Sequence, residues 1–502
     1  MEFQHLVSFL LFMSFLFLLI QKWRKSKTRL PPGPWRLPII GSVHHLSSGL
    51  PHRVLKNLSQ KYGSIMYLQL GEVPTVVVSS AHIAKQILKT HDLAFASRPE
   101  TMMGKIICYN CKDIAFSPYG DYWRHMRKLT VLELLSARMV KSFSPIRQDE
   151  LSNLLSSIGS MDLDLPINLD EKLLRFMNAA TCRSAFGKVC KDHNELITLI
   201  HQAQSLSGGF ELADLFPSKK FLHGISGMES KLMKARNNID AVLDNIINVH
   251  RENRANGSCN GESGAEDLID VFLRVMESGE FPVPLTNDNV KAVILDMFVA
   301  GSDTSSSTVI WALSEMMKNP SVMIKAQAEV RAAFKGKKTC DDDNDLEKLN
   351  YLKLVIKETL RLHPPTPLLV PRECREETEI DGFTIPLKSK VLVNVWAIGR
   401  DPEIWEDPEC FIPERFENNS TEFTGNHFQF LPFGAGRRIC PGIQFGLALI
   451  TLPLAHLLYK FDWKLPQGCN ARDLDMTEAN GISARRQKDL YLIATPYVSP
   501  LH

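Results

Sequence analysis

Pro432-Phe-Gly-Ala-Gly-Arg-Arg-Ile-Cys-Pro-Gly442 is the stretch on which the reading of this 502-residue chain turns. Two glycines before the cysteine and a Pro-Gly after it let the backbone turn tightly and aim N–H groups at the sulfur. Arg437 and Arg438 add nearby positive charge, which favours thiolate over thiol. From Ile443 the residues Phe445, Leu447, Leu449, Ile450, Leu452 and Leu454 follow a helical apolar pattern. Cys440 therefore stands just before a buried helix, whose dipole also favours negative charge. A lone cysteine is by default a buried, inert thiol. Glycines and arginines in set places around it instead make this a ligand loop.

Three further groups lie upstream. Glu358-Thr-Leu-Arg361 has the spacing of three that puts both side chains on one helix face, where they can pair. Alone that pattern is common on solvated helices. Ala300-Gly-Ser-Asp-Thr304 lies inside a helical run from about Asn289 to Met317. Five consecutive hydroxyls, Thr304 to Thr308, are poor choices for a helix interior. They either bond back to the helix, with at most a harmless bend, or mark a local distortion that opens a groove. Trp123-Arg-His-Met-Arg127 puts Trp123 and Arg127 four apart on one face, within reach of an anionic carboxylate.

Phe433-Gly-x-Gly-x-Arg-x-Cys-x-Gly442 resembles the haem-binding signature of the cytochrome P-450 monooxygenases, and the likeness runs from the N-terminal segment onward with the other motifs in the family's order. The resemblance implies that Cys440 ligates the iron of haem b. It implies that Trp123, Arg127, Arg372 and Arg438 hold haem propionates, and that Phe433 belongs to the haem-binding loop. Asp303 and Thr304 match the family's acid–alcohol pair, implied to relay protons and to hydrogen-bond the iron-bound oxygen. Arg415, in Pro413-Glu-Arg-Phe416, is implied to close a buried structural triad with Glu358 and Arg361. The chain has no flavin or nicotinamide motif of its own, so the resemblance implies an NADPH-dependent flavoprotein reductase as electron donor. Arg437, Arg438 and Lys464 are candidates to dock it. Leu30-Pro-Pro-Gly-Pro-Trp35, Tyr119-Gly-Asp-Tyr-Trp-Arg124 and Pro371-Arg-Glu-Cys-Arg375 resemble plant enzymes that oxidise terpenoids. A sesquiterpene is the favoured substrate, with a diterpenoid, monoterpene or alkaloid as alternatives. Ile106, Ile107, Val299, Ala300, Leu368, Leu369 and Ile482 are expected to line an apolar substrate pocket. A haem-thiolate isomerase or dehydratase, which is expected to lack the Asp303–Thr304 pair, and a membrane-tethered haem sensor without turnover are the rival readings.

Composition bounds the rest. Lys plus Arg number 58 and Asp plus Glu 56, a net charge of +2 that argues against a nucleic-acid partner. The ten cysteines show no repeating spacing, so reduced thiols in a cytosol-facing body are the default. Cys108-Tyr-Asn-Cys111 lacks a second pair at comparable spacing, which disfavours zinc. Leu6 to Ile20 is an apolar run broken only by Ser8 and Ser14, and Lys22, Arg24, Lys25, Lys27 and Arg29 follow it. Residues 1–29 thus read as a single-pass membrane anchor with a basic stop-transfer segment, leaving the body on the cytosolic face of the endoplasmic reticulum. An acidic start and no small-residue cleavage site count against a signal peptide. Residues 30–41 read as a proline-rich hinge. Residues 42–502 read as one mainly α catalytic domain with a small β-sheet. Strands are expected at Met66 to Gly71, Thr75 to Ser79, Leu368 to Arg372, Val391 to Val395 and Leu490 to Ala494, and a solvent loop at Arg254 to Glu266.

Overall fold

The computed structural model describes Met13 and residues 29–162, 164–187, 193–206, 211–219, 227–258, 266–279, 281–335 and 343–498. The expected anchor, apart from Met13 and Arg29, and residues 259–265 of the expected loop lie outside the described residues. Seven helices matter for the site: α1 Pro51–Tyr62, α2 Asp121–Thr130, α3 Leu169–Phe186, α4 Met228–Ala255, α5 Asn287–Lys318, α6 Asn350–Leu362 and α7 Ile443–Lys460.

The long α5 begins where the Asn289 side chain accepts the Thr286 backbone N–H at 2.7 Å, and ends before Asn319-Pro320, where proline disfavours helix in the residue preceding it. Ile294, Val309, Ile310, Trp311 and Leu313 are buried along it, as suits the central rod of a core. α7 is long and apolar enough to cross a bilayer, yet Leu449, Leu454, Leu457 and Leu458 are fully buried in the protein. It is a core helix.

The strands form three small sheets rather than one. β1 Ile65–Leu70, β2 Val73–Val78, β7 Lys390–Val393 and β4 Arg372–Glu373 make the largest, in the order β1-β2-β7-β4. β2 runs parallel to β7 with Val76 opposite Val391, and β4 runs antiparallel with Arg372 opposite Val391. Val76, Val77 and Val78 are buried on both faces, the near-continuous apolar run that a covered central strand needs. β3 Ile167–Asn168, β9 Tyr491–Pro496 and β8 Phe461–Lys464 form a second sheet, and β5 Thr378–Ile380 pairs with β6 Phe383–Ile385.

Two expectations are corrected. Leu368 to Arg372 is a strand only from Arg372. Within that span Pro371 has no ladder donor, and Leu369 adopts φ 52°. Among the described cysteines Cys182 is disulfide-bonded, whereas Cys108, Cys111, Cys374, Cys410, Cys440 and Cys469 are free. Compartment alone says nothing of which sulfurs the fold brings together.

Candidate active site

The loop before α7 presents Cys440 as its glycines require. Gly434 and Gly436 both take φ 69°, and a Cβ on Gly436 would stand 2.1 Å from the Leu88 carbonyl oxygen. The Cys440 N–H donates to the Phe433 carbonyl at 3.0 Å, fixing the ligand residue against Phe433, whose ring packs edge-on to Phe423 at 5.5 Å. Asp92 clips the loop from below. One of its oxygens accepts the Arg437 backbone N–H at 2.9 Å, and the other pairs with Arg372 at 2.9 Å.

Cys440 is packed round by protein yet keeps part of its surface open. Burial pushes its thiol up, against the Gly442 N–H and the Arg127 charge, which favour the thiolate. The expected contribution of Arg437 and Arg438 is not made. Arg437 is exposed and directed at Asp92. Arg438 donates to the carbonyls of Ala96, Ile114 and Ser117, and its guanidinium lies 4.1 Å above the Trp123 ring. Protein groups alone therefore leave the sulfur short of full ionisation; a bound metal ion deprotonates such a thiol outright.

The arginines themselves are crowded. Burial and the charges of Arg372 and Arg127 push Arg438 down to about 9. Arg98, which donates to the carbonyls of Ala115, Val370 and Pro371, is driven down by burial and then by Arg438 and Arg372. Arg127 is lowered by burial and reaches the Ile439 carbonyl. Of these four, only Arg372 forms an ion pair among the described residues, with Asp92. A cluster of buried like charges facing carbonyl oxygens calls for an anionic guest, and two carboxylates on a flat cofactor are the chemistry that fits. Trp123 lies among these arginines, but its indole N–H is taken by the Ile114 carbonyl at 3.0 Å. Arg98 was missed in the sequence because Ser97-Arg98-Pro99 carries no motif, and only the fold brings it to the others.

α5 lies against the helix that follows the loop. Glycine at 301 admits the Phe445 ring of α7, 3.7 Å from where a Cβ would stand, and Ser305 lies against Gly446. The Gly301–Ser305 turn thus crosses the helix start that follows Cys440. Val299, Ala300, Asp303 and Thr304 line a cavity of about 1410 Å³, larger than the roughly 300–1,000 Å³ of most small-molecule pockets and able to hold a cofactor with a substrate. The expected opening of the helix is not seen: α5 runs without a break, Thr304 Oγ1 donates to the Ala300 carbonyl at 2.6 Å, and Thr308 to that of Thr304 at 2.8 Å. Back-bonding absorbs both hydroxyls. Asp303 has no hydrogen-bond partner among the described residues, so its carboxyl is free toward the cavity.

Of the other expected pocket residues, Ile482 lines the cavity. Ile106 and Ile107 turn into the core instead, and Met103, Ala115 and Phe116 line the cavity on that side. Leu368 and Leu369 pack against the sheet-side cores, while Thr366 and Val370 face the cavity. Behind the cysteine loop, Glu358 meets both arginines: Arg361 at 2.7 Å and Arg415 at 2.9 Å, all three side chains buried. The Cys108–Cys111 turn holds no metal-ligand cluster among the described residues, and burial raises both thiols, Cys111 to about 12. Zinc has no support there.

The comparisons agree with this geometry. The cytochrome P450 family model matches residues 31–493. The chain is 60% identical over 500 residues to premnaspirodiene oxygenase of Hyoscyamus muticus, covering 99% of each. It is 58% identical to 5-epiaristolochene 1,3-dihydroxylase of Nicotiana tabacum, again over 99% of both chains. A zebra fish cytochrome P450 solved with progesterone superposes with a TM-score of 0.75 at 25% identity, over 89% of this chain and 99% of that one. A cysteine held half-open at a helix start, with arginines gathered about its loop and the cavity-lining turn of α5 crossing the helix that follows it, is thus joined to a whole-chain likeness: this chain belongs to the cytochrome P450 family.

Proposed function

We propose that the chain is a haem-thiolate monooxygenase that hydroxylates a sesquiterpene hydrocarbon, with Cys440 Sγ as the atom that would hold the iron of haem b. The family uses haem b, and its electrons come from NADPH through a partner reductase. The observation that carries the reading is the set of four guanidiniums about the cysteine loop, Arg98, Arg372 and Arg438 buried and Arg127 half-buried, with Asp92 the one carboxylate among the described residues that pairs with them.

Bound haem supplies dioxygen activation, with the thiolate donating electron density that favours O–O cleavage. The protein's part is positional. Gly442 N–H and Arg127 steady the charge on Cys440 Sγ, and Asp92 fixes the loop to β4. The arginines bind the propionates, with Trp123 as the surface on which Arg438 stacks. Asp303 presents its carboxyl to the cavity beside Thr304, whose hydroxyl can swing from the Ala300 carbonyl toward the cavity, and the two form the route for proton delivery. Val299, Ala300 and Phe116 present apolar surface, orient a hydrocarbon and exclude water. Glu358, Arg361 and Arg415 brace the loop from behind. The presence of Asp303 and Thr304 favours oxygen-dependent chemistry over isomerisation or haem sensing.

Residues 1–29 are read as the anchor that leaves the catalytic body on the cytosolic side of the endoplasmic reticulum, where a membrane-bound reductase meets it. The sesquiterpene preference rests on the relatives: the names of both plant enzymes are those of sesquiterpene oxygenases. Co-expression with a flavoprotein reductase in microsomes, followed by feeding premnaspirodiene, 5-epiaristolochene, a diterpene and an alkaloid, tests it. NADPH-dependent alcohols from a C15 hydrocarbon are expected. Haem-loaded protein that consumes no NADPH with any of them contradicts it.

A further inference from the structure

The cavity has a mouth, and the mouth is cationic. Apart from Ala300 on α5, the exposed residues that line the cavity fall on two segments, 47–53 entering α1 and 477–487. Glu478, the one carboxylate that these segments bring to the lining, is sealed: its side chain has no exposed surface. It meets His52 Nε2 at 2.9 Å and accepts the Arg53 Nε–H at 2.8 Å and the Trp396 indole N–H at 3.3 Å.

Arg53 is held in one attitude. Its Nε edge is tied to Glu478, and its guanidinium lies 4.9 Å from the centre of the Trp396 ring. Its two terminal nitrogens have no partner among the described residues, and half the side chain is exposed. A planar fork fixed in this way loses little freedom when it grips an anion. The other cations over Trp396, Lys56 and Arg400, are both paired with Glu409. Arg485 is exposed, lines the same mouth and makes no side-chain hydrogen bond or ion pair among the described residues. The backbone bridge between Glu478 and Arg486 sets it next to the partner of Arg53. Asp170 feels the charge of Arg485, but its carboxyl is engaged by the Leu490 N–H at 2.6 Å. Two guanidiniums thus stand at the mouth, while Val299, Ala300 and Phe116 line the same cavity with apolar surface. That division suits a ligand with one anionic group and a hydrocarbon body. Carboxylate and phosphate oxygens both match a guanidinium fork. Because Asp303 and Thr304 line the same continuous cavity, an apolar body anchored at the mouth extends toward the reaction site, as a substrate should. A hydrocarbon leaves both arginines in water and is not refused.

We propose that Arg53 and Arg485 form an anion-binding subsite at the mouth of the cavity, and that it takes the carboxylate of a C15 terpenoid acid whose hydrocarbon body lies toward Asp303 and Thr304. This rests on the monooxygenase reading. It adds a second class of ligand, an acid gripped at the end remote from the oxidised carbon.

The test is equilibrium dialysis of the haem-loaded, full-length enzyme at neutral pH and low ionic strength against a C15 terpenoid acid, its methyl ester, the matching primary alcohol and a short-chain phospholipid. The wild type is expected to bind the acid about fivefold more tightly than the ester, the scale of a charge-assisted contact weakened by solvent. Added salt should shrink that advantage. Arg485→Gln and Arg53→Gln, whose amide can still donate to Glu478, should each bring the acid-to-ester ratio toward one. A role for Arg53 limited to bracing Glu478 predicts that acid, ester and alcohol weaken alike in Arg53→Gln, and that result overturns the subsite. So does an ester bound as well as the acid, or a ratio unmoved in both variants. A phospholipid that binds more tightly than the acid, and loses that affinity in both variants, makes a lipid headgroup the occupant and overturns the terpenoid assignment. The acid, ester and salt arms use wild-type protein and stand even if Arg53→Gln does not fold. If a terpene is hydroxylated but acid and ester bind alike, only this inference falls; if no terpene is oxidised, the monooxygenase reading falls first.

Discussion

Arg361 grips Glu358 with both edges of its guanidinium, Nε to Oε2 at 2.7 Å and Nη2 to Oε1 at 2.8 Å, and neither side chain is exposed. The rest of the guanidinium is used as well, on the carbonyls of Gly399, Pro408 and Cys410. Arg415 and the Ile412 N–H complete the shell around the same Glu358 oxygen, at 2.9 and 2.8 Å. This knot ties α6 to the 399–415 segment, and Arg361 and Pro432 border one small gap behind the cysteine loop. Removing one partner leaves a buried charge unmatched. Glu358→Gln and Arg361→Leu should each cost roughly 3–5 kcal/mol, seen as a lower unfolding temperature and a smaller haem-loaded fraction.

The arginine cradle makes a signed prediction. Arg438→Gln should speed haem loss to apomyoglobin by tenfold or more, because a charge-assisted contact to a propionate is gone. The haem-free protein should tolerate the change far better, since the crowding of Arg98 and Arg438 is relieved. Haem transfer rates together with the stability of the apoprotein measure both halves.

Thr304 separates electron use from product. Thr304→Ala removes the hydroxyl now bonded to Ala300 while the helix stays intact. Product per NADPH should fall at least tenfold, with Thr304→Ser restoring much of it, within the range for loss of a proton-transfer group. Parallel assays of NADPH consumption and alcohol formation decide it.

Glu478 carries an acid-sensitive contribution. Its carboxyl is enclosed; burial opposes its charge, but His52 at 2.9 Å and Arg53 at 2.8 Å outweigh that and hold it down at about 2, against an ordinary value of 4.5. A depressed folded value means stability that is present above about pH 4.5 and lost as pH falls toward 2. The shift corresponds to roughly 3 kcal/mol. Unfolding midpoints of wild type and Glu478→Gln should differ clearly at pH 6, draw together below about pH 4.5 and converge only near pH 2.

Much of this was legible because it is local. The glycines of the cysteine loop, the start of α7 at Ile443, the three-residue spacing of Glu358 and Arg361 and the extent of α5 follow from steric demands and helical period over short spans. The strand over Leu368 to Arg372 failed because Pro371 and the left-handed Leu369 interrupt its apolar run. Ile106 and Ile107 gave way to Met103 and Phe116 because a short helix, Met102–Ile106, decides which side chains turn inward. Arg98 and Asp92 gain their meaning only when segments up to hundreds of residues apart converge.

The most direct measurement is the absorption spectrum of the reduced, carbon-monoxide-treated protein, for wild type and Cys440→Ser expressed side by side. Wild type should give the red-shifted band of thiolate-ligated haem, and Cys440→Ser should lose it. A serine variant that keeps that band would contradict Cys440 as the ligand, and with it the account of the site.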